Sequence, residues 1–265
     1  TNILQVTTTG FSSALLTGLA PSTTYYYQAK LANAAGVSLG DSISVTPDHF
    51  WDLNDSGLTA LDQAGTISGV INGASTTIDA SKGSVLSFDG DNDYVNLGDV
   101  EAMDQADRFT ISLWFKRSAD SSTVATSNGI DNVLIAQSSD SSNDNLEIGT
   151  QGSEIEIYVD SGTASTDQTV RVEAGITNDV WYHLALVYGS EMSVYLDGIK
   201  LSTLTQYNGR LESSGASPLS IGCARTDRAN PWGDFSGQMH RVELFYETLS
   251  SAEIELLAGL GSVKS

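Results

Sequence analysis

The chain has 265 residues, of which 40% are hydrophobic and only 17% are charged, so it can bury the core of one large all-β domain or of two smaller ones. Its 33 acidic and 12 basic residues give a net charge of −21, which repels phosphate backbones and anionic lipid headgroups, so we expect no nucleic-acid binding and no membrane insertion. The one cysteine, Cys223, excludes an intrachain disulfide and a cysteine-based zinc site, and we expect a buried, inert thiol.

Residues 1–47 carry short alternating runs that predict β-strands. In "TYYYQAKLANAAG" the side chains of Tyr25, Tyr27 and Ala29 fall on one face at period two. A hairpin is expected at 33–36, and Pro47 marks the boundary with the rest of the chain.

The stretch "LTGLAPSTTYYYQAKLANAAGVSLGDSISVTP" resembles the C-terminal half of a fibronectin type III domain. A whole domain of that kind has about 90–100 residues in two sheets, so the first strands are missing here. The sequence also does not open with the basic and then apolar order of a signal peptide. We therefore expect a fragment of a multidomain chain, or an apolar face that the second domain or another chain covers.

From residue 48 to 265 the sequence consists of many short strands and turns. "RFTISLWFK" alternates apolar and polar residues, and "WYHLALVYGSEMSVYLDGIKL" predicts two strands and a hairpin with a tight turn at Asp197 and Gly198. "SPLSIG" and "QMHRVELFYETL" predict further strands. The tail "SSAEIELLAGL" predicts one short helix that Ser250 or Ser251 caps.

Taken in order, these segments resemble the LamG-like jelly-roll family, the concanavalin A-like sandwich of laminin G domains and pentraxins. The resemblance covers about residues 49–258, through "HFWDLND", "SFDGDNDYVNLG", "FTISLWFK", "WYHLALVY", "MSVYLDGIKL", "LSIG" and "FSGQMHRVELFYETLSSAEI". It implies an all-β, two-sheet antiparallel jelly-roll sandwich with a short C-terminal helix, preceded by the partial fibronectin type III-like segment. In such a sandwich Trp114, Trp181 and His183 are expected to serve packing.

The same sandwich carries glycoside hydrolases and polysaccharide lyases, so a pair of catalytic carboxylates has to be considered. The best candidate is "SEIEIYVD", where Glu154 and Glu156 share one face of a strand and Asp160 follows. The third acid comes late for the hydrolase spacing, and the aromatic residues of a sugar cleft are sparse. The three histidines are scattered without a metal-binding spacing, so we predict that the chain is not an enzyme.

Two groups of acidic residues are candidates for calcium. In "FDGDNDYVNLG", the EF-hand pattern fails at Tyr94 and Val100, so Asp89 and Asp93 either help to hold a cation or cap the turn. In "SSNDNLEIG", Asp144 and Asn145 resemble the Asp-Asn pair of the pentraxin calcium site. The family resemblance then places Asp227 and Asp234 of the loop "CARTDRANPWGD" at the same rim.

For glycan recognition the candidate residues are Trp232, Arg225 and Tyr207. Trp232 follows a proline in a loop, so its ring either faces a sugar or folds back onto the core.

These observations predict a non-catalytic module, extracellular or at the cell surface, that binds a glycan or a cell-surface protein with calcium. The alternative is a structural repeat of a cell-surface fibre that self-associates through residues 1–47. A hydrolase or lyase of the same fold is the third hypothesis.

Overall fold

The computed structural model describes residues 30–33, 36–39, 44–119, 130–138, 144–161, 169–212, 215, 217–224 and 233–260, with the backbone alone at 30–33, 36–39, 144 and 260. The described strands are β1 (Lys30–Asn33), β2 (Gly36–Leu39), β3 (His49–Trp51), β4 (Thr59–Ala60), β5 (Gly69–Asn72), β6 (Ser75–Asp79), β7 (Gly83–Asp89), β8 (Tyr94–Asn96), β9 (Phe109–Arg117), β10 (Ile135–Ser138), β11 (Asp144–Gln151), β12 (Glu154–Val159), β13 (Val170–Glu173), β14 (Trp181–Tyr188), β15 (Met192–Leu196), β16 (Ile199–Leu204), β17 (Leu219–Ile221) and β18 (Ser236–Phe245). A short 3-10 helix spans Glu101–Met103, and the helix α1 spans Ser251–Leu260.

Two antiparallel sheets form the sandwich. Sheet I has the strand order β13-β12-β11-β10-β17-β8-β5-β4, and sheet II has the order β16-β15-β14-β9-β18-β7-β6, with β3 paired to β18. Hairpins of consecutive strands alternate with pairs of strands that are distant in sequence, such as β17 beside β8 and β9 beside β18. The predicted all-β, two-sheet antiparallel sandwich with a short C-terminal helix is confirmed.

The main core lies between the two sheets. Strand β9 shows why: Phe109, Ile111, Leu113 and Phe115 alternate inward and are all at most 2% exposed. They meet the inward residues of sheet I, such as Ile148. The period-two alternation of the sequence therefore predicted the buried face of this strand correctly.

The outer face of sheet II carries the tryptophans that the sequence assigned to packing. Trp114 is 6% exposed, and the Lys82 Nζ lies 3.0 Å from its ring centroid. His183 lies beside Trp114, and its Nε2 is 2.9 Å from the Ser112 Oγ. Burial, with Lys82 and Arg241 nearby, lowers the pKa of His183 to about 3, so this imidazole is neutral. The packing roles of Trp114 and His183 are confirmed.

The segment 181–201 contains three strands, where the sequence predicted two strands and a hairpin. Strands β14, β15 and β16 pair in succession. Asp197 and Gly198 have φ values of 51° and 81°, so the tight turn is confirmed.

The helix and the N-terminal hairpin agree with the sequence patterns. The Ser250 N–H donates to the Glu253 Oε2 at 2.7 Å, and the Glu253 N–H donates to the Ser250 Oγ at 3.4 Å, so Ser250 is the cap. Strands β1 and β2 pair from Lys30 to Leu39 as the expected hairpin, while residues 1–29 lie outside the described residues. The likeness of residues 1–47 to a fibronectin domain stays a prediction. Within the described ranges, α1 is too short to cross a bilayer.

Candidate functional site

The most unusual charge arrangement is the turn between β7 and β8, residues 89–93, which we call the acidic turn. Gly90 and Asn92 have φ values of 88° and 64°, which lets the chain reverse within a few residues. The Asp91 N–H donates to the Asp89 Oδ1 at 2.8 Å, and the Asp89 N–H donates to the Asp93 Oδ2 at 2.7 Å. These bonds hold three carboxylates close together.

A fourth carboxylate, Asp234, joins the acidic turn from a distant part of the sequence. It precedes β18, whose first residue, Ser236, pairs with Asp89. The Asn92 N–H donates to the Asp234 side chain. The Asp234 Oδ1 is buried and has no hydrogen-bond partner among the described residues.

Burial and mutual repulsion shift the acid strength of this group. Burial is the main cause that raises the pKa of Asp234 to about 6; the Asn92 N–H acts to lower this pKa, and the charges of Asp91, Asp93 and Asp89 act to raise it. Burial also raises the pKa of Asp93, with Asp89 and Asp91 adding to the effect. In the part of the chain that the structure describes, no lysine, arginine or histidine forms an ion pair with any of the four carboxylates.

The donor set fits a hard cation, because calcium prefers carboxylate, carbonyl and water oxygens. Among the described residues, no three His, Cys, Asp or Glu side chains already converge at metal-binding distance. Asp89, Asp93 and Asp234 supply carboxylate oxygens of the type that calcium prefers.

Of the other predicted metal residues, the structure describes only Asn145 in full. Asn145 is 1% exposed, donates from its Nδ2 to the Glu212 carbonyl at 3.3 Å and has a buried, unpartnered Oδ1. Asp144 lies in β11 with its side chain outside the described residues, as is the whole of Asp227.

Strand register separates Asn145 from the acidic turn. Ile148, Ile135, Ile221 and Val95 lie side by side across sheet I. Asn145 is three residues from this row towards one end, and Asp93 is two residues from it towards the other, so they are offset by about five residues, or roughly 16 Å along the strands. Because Asp234 lies with Asp93, the expectation that Asn145 and Asp234 share one rim is wrong.

The predicted glycan residues are placed only in part. Tyr207 is 3% exposed and packs into the main core, so its ring does not face a ligand as the sequence analysis expected. Packing against residues that are distant in sequence buries this ring. Arg225 and Trp232 lie outside the described residues.

The candidate catalytic pair sits in a structural network. The Glu156 side chain is 1% exposed. It accepts a hydrogen bond from the Arg171 Nε at 2.7 Å and another from the Asp131 N–H at 3.3 Å. Glu154 lies opposite Glu173 on the neighbouring strand. Glu156 is therefore held by partners that satisfy its charge, whereas a retaining hydrolase aims two carboxylates at one bond.

Sequence reasoning named Asp234 but assigned it to the wrong partners. The contact with Asn92 joins residues 142 positions apart, and it depends on the pairing of β18 with β7. No pattern of neighbouring residues in the sequence reveals which residues of β18 and β7 pair.

Comparison with solved structures finds the same fold in several proteins. Domain 4 of AbnA, an extracellular arabinanase from Geobacillus stearothermophilus, solved in complex with arabinotriose, matches 80% of this chain and 98% of its own at 16% identity and a TM-score of 0.60. Trypanosoma rangeli sialidase in complex with sialic acid matches 86% of this chain and 35% of its own, at 16% identity and a TM-score of 0.61. The binding domain of botulinum neurotoxin serotype D matches 80% of this chain and 50% of its own, at 10% identity and a TM-score of 0.57.

These likenesses show the fold alone. This chain spans about a third of the sialidase and half of the neurotoxin binding domain. No curated protein matches it in sequence. The Laminin_G_3 model, described as the concanavalin A-like lectin/glucanases superfamily, matches residues 89–255, which is more than half of the sequence. The chain therefore belongs to the concanavalin A-like lectin/glucanase superfamily.

Proposed function

We propose that this chain is a non-catalytic, extracellular carbohydrate-binding module that uses calcium at the acidic turn. The observation that carries the proposal is the Asp234 Oδ1, a buried carboxylate oxygen without a described partner beside three further carboxylates. A calcium ion would neutralise this repulsion and supply the missing interaction.

Carbohydrate is the ligand class that the comparison favours. Domain 4 of the arabinanase was solved with arabinotriose, and this fold covers 98% of that domain. In the present chain, Trp232 is two residues before Asp234 and Arg225 lies in the same loop sequence. An ion held by Asp234 would restrict the chain next to Trp232, so calcium and sugar binding are expected to be coupled.

Catalysis is not part of the proposal. Glu156, one of the two candidate catalytic acids, is held by Arg171 and by the Asp131 N–H. Self-association through residues 1–47 is the alternative function.

A glycan array that includes arabinotriose, probed in calcium and in chelator, tests the proposed function. We expect wild-type binding in calcium that falls roughly tenfold in Trp232→Ala, which corresponds to about 1.4 kcal/mol, because the variant loses the apolar face of the indole. Trp181→Ala is the matched control, since Trp181 lies on β14 and not in the loop of Trp232. A folded Trp232→Ala protein with an unchanged array profile would dismiss Trp232 as a ligand residue.

A further inference from the structure

The segment that enters the sandwich, residues 44–48, is bound along the end of β18, and we call it the connector. The Asp48 N–H donates to the Leu244 carbonyl at 3.0 Å, and the Tyr246 N–H donates to the Asp48 Oδ2 at 2.8 Å. The next residue, His49, begins β3 and lies 2.8 Å from the Tyr246 hydroxyl through its Nε2. Three hydrogen bonds thus tie the entry point to one short stretch of chain.

The connector also contributes to an apolar cluster that is separate from the main core. Helix α1 covers part of the outer face of sheet II, and the buried residues between them are Ala185, Val187, Tyr195, Phe245, Leu249, Ile254 and Leu257. Val45, half-buried, packs against this cluster, which we call the second core. Pro47 restricts the backbone between Val45 and Asp48.

Strand register places the connector and the acidic turn at opposite ends of the sandwich. At one end of β18, Ser236 pairs with Asp89, and near the other end Leu244 pairs with His49. Leu244 is eight positions after Ser236 and β18 has one bulge between them, so the two ends are roughly 23 Å apart.

We propose that the second core is a docking surface for the connector, and that it fixes the orientation of the sandwich relative to the chain that precedes Ser44. A flexible Gly/Ser-type linker would let two modules reorient freely, whereas a connector held by backbone hydrogen bonds and an apolar anchor does not. The sandwich is then held at one end with the acidic turn pointing away. That this free end binds ligand rests on the proposed function, but the docking does not.

Backbone ¹⁵N relaxation and amide hydrogen exchange on the whole chain, without calcium or sugar, test the inference. We expect the amides of β1 and β2 to tumble with the same correlation time as the sandwich, and the Asp48 amide to be protected from exchange. Val45→Asp, which puts a charge against the second core, should lower the protection of Asp48 by roughly tenfold or more and shorten the correlation time of the hairpin.

Ser44→Asp is the matched control, because it adds the same charge at an exposed neighbour and should change neither quantity. The inference is overturned by an unprotected Asp48 amide in the wild type, by a wild-type hairpin that tumbles faster than the sandwich, or by identical behaviour of the two variants. If Val45→Asp fails to fold, the wild-type relaxation data decide the question alone. Since neither ion nor sugar is present, a failed docking result leaves the calcium test unaffected.

Discussion

Replacing Asp62 with alanine is expected to lower the free energy of unfolding by about 3–4 kcal/mol, because it leaves several donors without an acceptor. The Asp62 side chain is fully buried, and its Oδ2 is 2.6 Å from the His49 Nδ1. The same carboxylate accepts the N–H groups of Phe50, Gly65 and Ile67 at 2.8–3.0 Å. It therefore holds the loop between β4 and β5 against β3.

The measurement is thermal or denaturant unfolding, with a fall in the melting temperature of roughly 10 °C for a domain of this size. Asp55→Ala is the control, because Asp55 accepts one backbone N–H, from Leu61, near the surface. Equal effects of the two substitutions would contradict the role assigned to Asp62.

The same carboxylate gives a defined pH dependence. Burial alone would raise the pKa of Asp62, but the hydrogen bonds from His49 and from the N–H groups of Gly65, Phe50 and Ile67 lower it below its usual 3.8. Its stabilisation is therefore complete above pH 3.8 and is lost as the pH falls through the lower, folded-state pKa. The Asp62→Ala chain should lack this part of the acid transition.

Asp234→Asn is expected to act in opposite directions with and without calcium. Without the ion, the substitution removes one of four repelling charges, so the free energy of unfolding at pH 7 should rise by about 1–2 kcal/mol, a value reduced for the partial exposure of the group. With about 10 mM calcium and a dissociation constant of about 0.1–1 mM, the wild type should gain about 1.4–2.7 kcal/mol from binding and the variant almost nothing.

The pH profile separates this effect from a general loss of charge. Because the folded-state pKa of Asp234 is raised to about 6, its unfavourable contribution is complete above pH 6 and disappears as the pH falls towards 3.8. Calcium-free wild type should therefore gain stability between pH 7 and pH 5, and Asp234→Asn should not. Asp99→Asn removes a charge at an exposed position and should resemble the wild type. If calcium stabilises Asp234→Asn as much as the wild type, Asp234 is not a calcium ligand.

Local patterns were sufficient for much of the fold. The alternation in β9, the Asp197-Gly198 turn and the Ser250 cap each depend on a few neighbouring residues, so their physical causes are visible in the sequence. The order of the LamG-like segments then predicted the two-sheet sandwich, because each segment corresponds to one strand or hairpin.

The site was less accessible to sequence reasoning, because it depends on contacts between distant segments. Asp89 and Asp93 were named from their spacing, but their partner Asp234 comes from the pairing of β18 with β7. The prediction that Tyr207 faces a ligand was wrong for a related reason, because the surrounding core buries its ring. Strand register and loop burial are properties of the whole fold.

Calorimetric titration of calcium into the wild-type chain near pH 7 tests the central claim most directly. We expect saturable heat from one site with a dissociation constant in the range of about 0.1–1 mM, typical of extracellular modules, and no such heat from Asp234→Asn. The absence of heat and of any shift in melting temperature up to about 10 mM calcium, well above that range, would contradict the account.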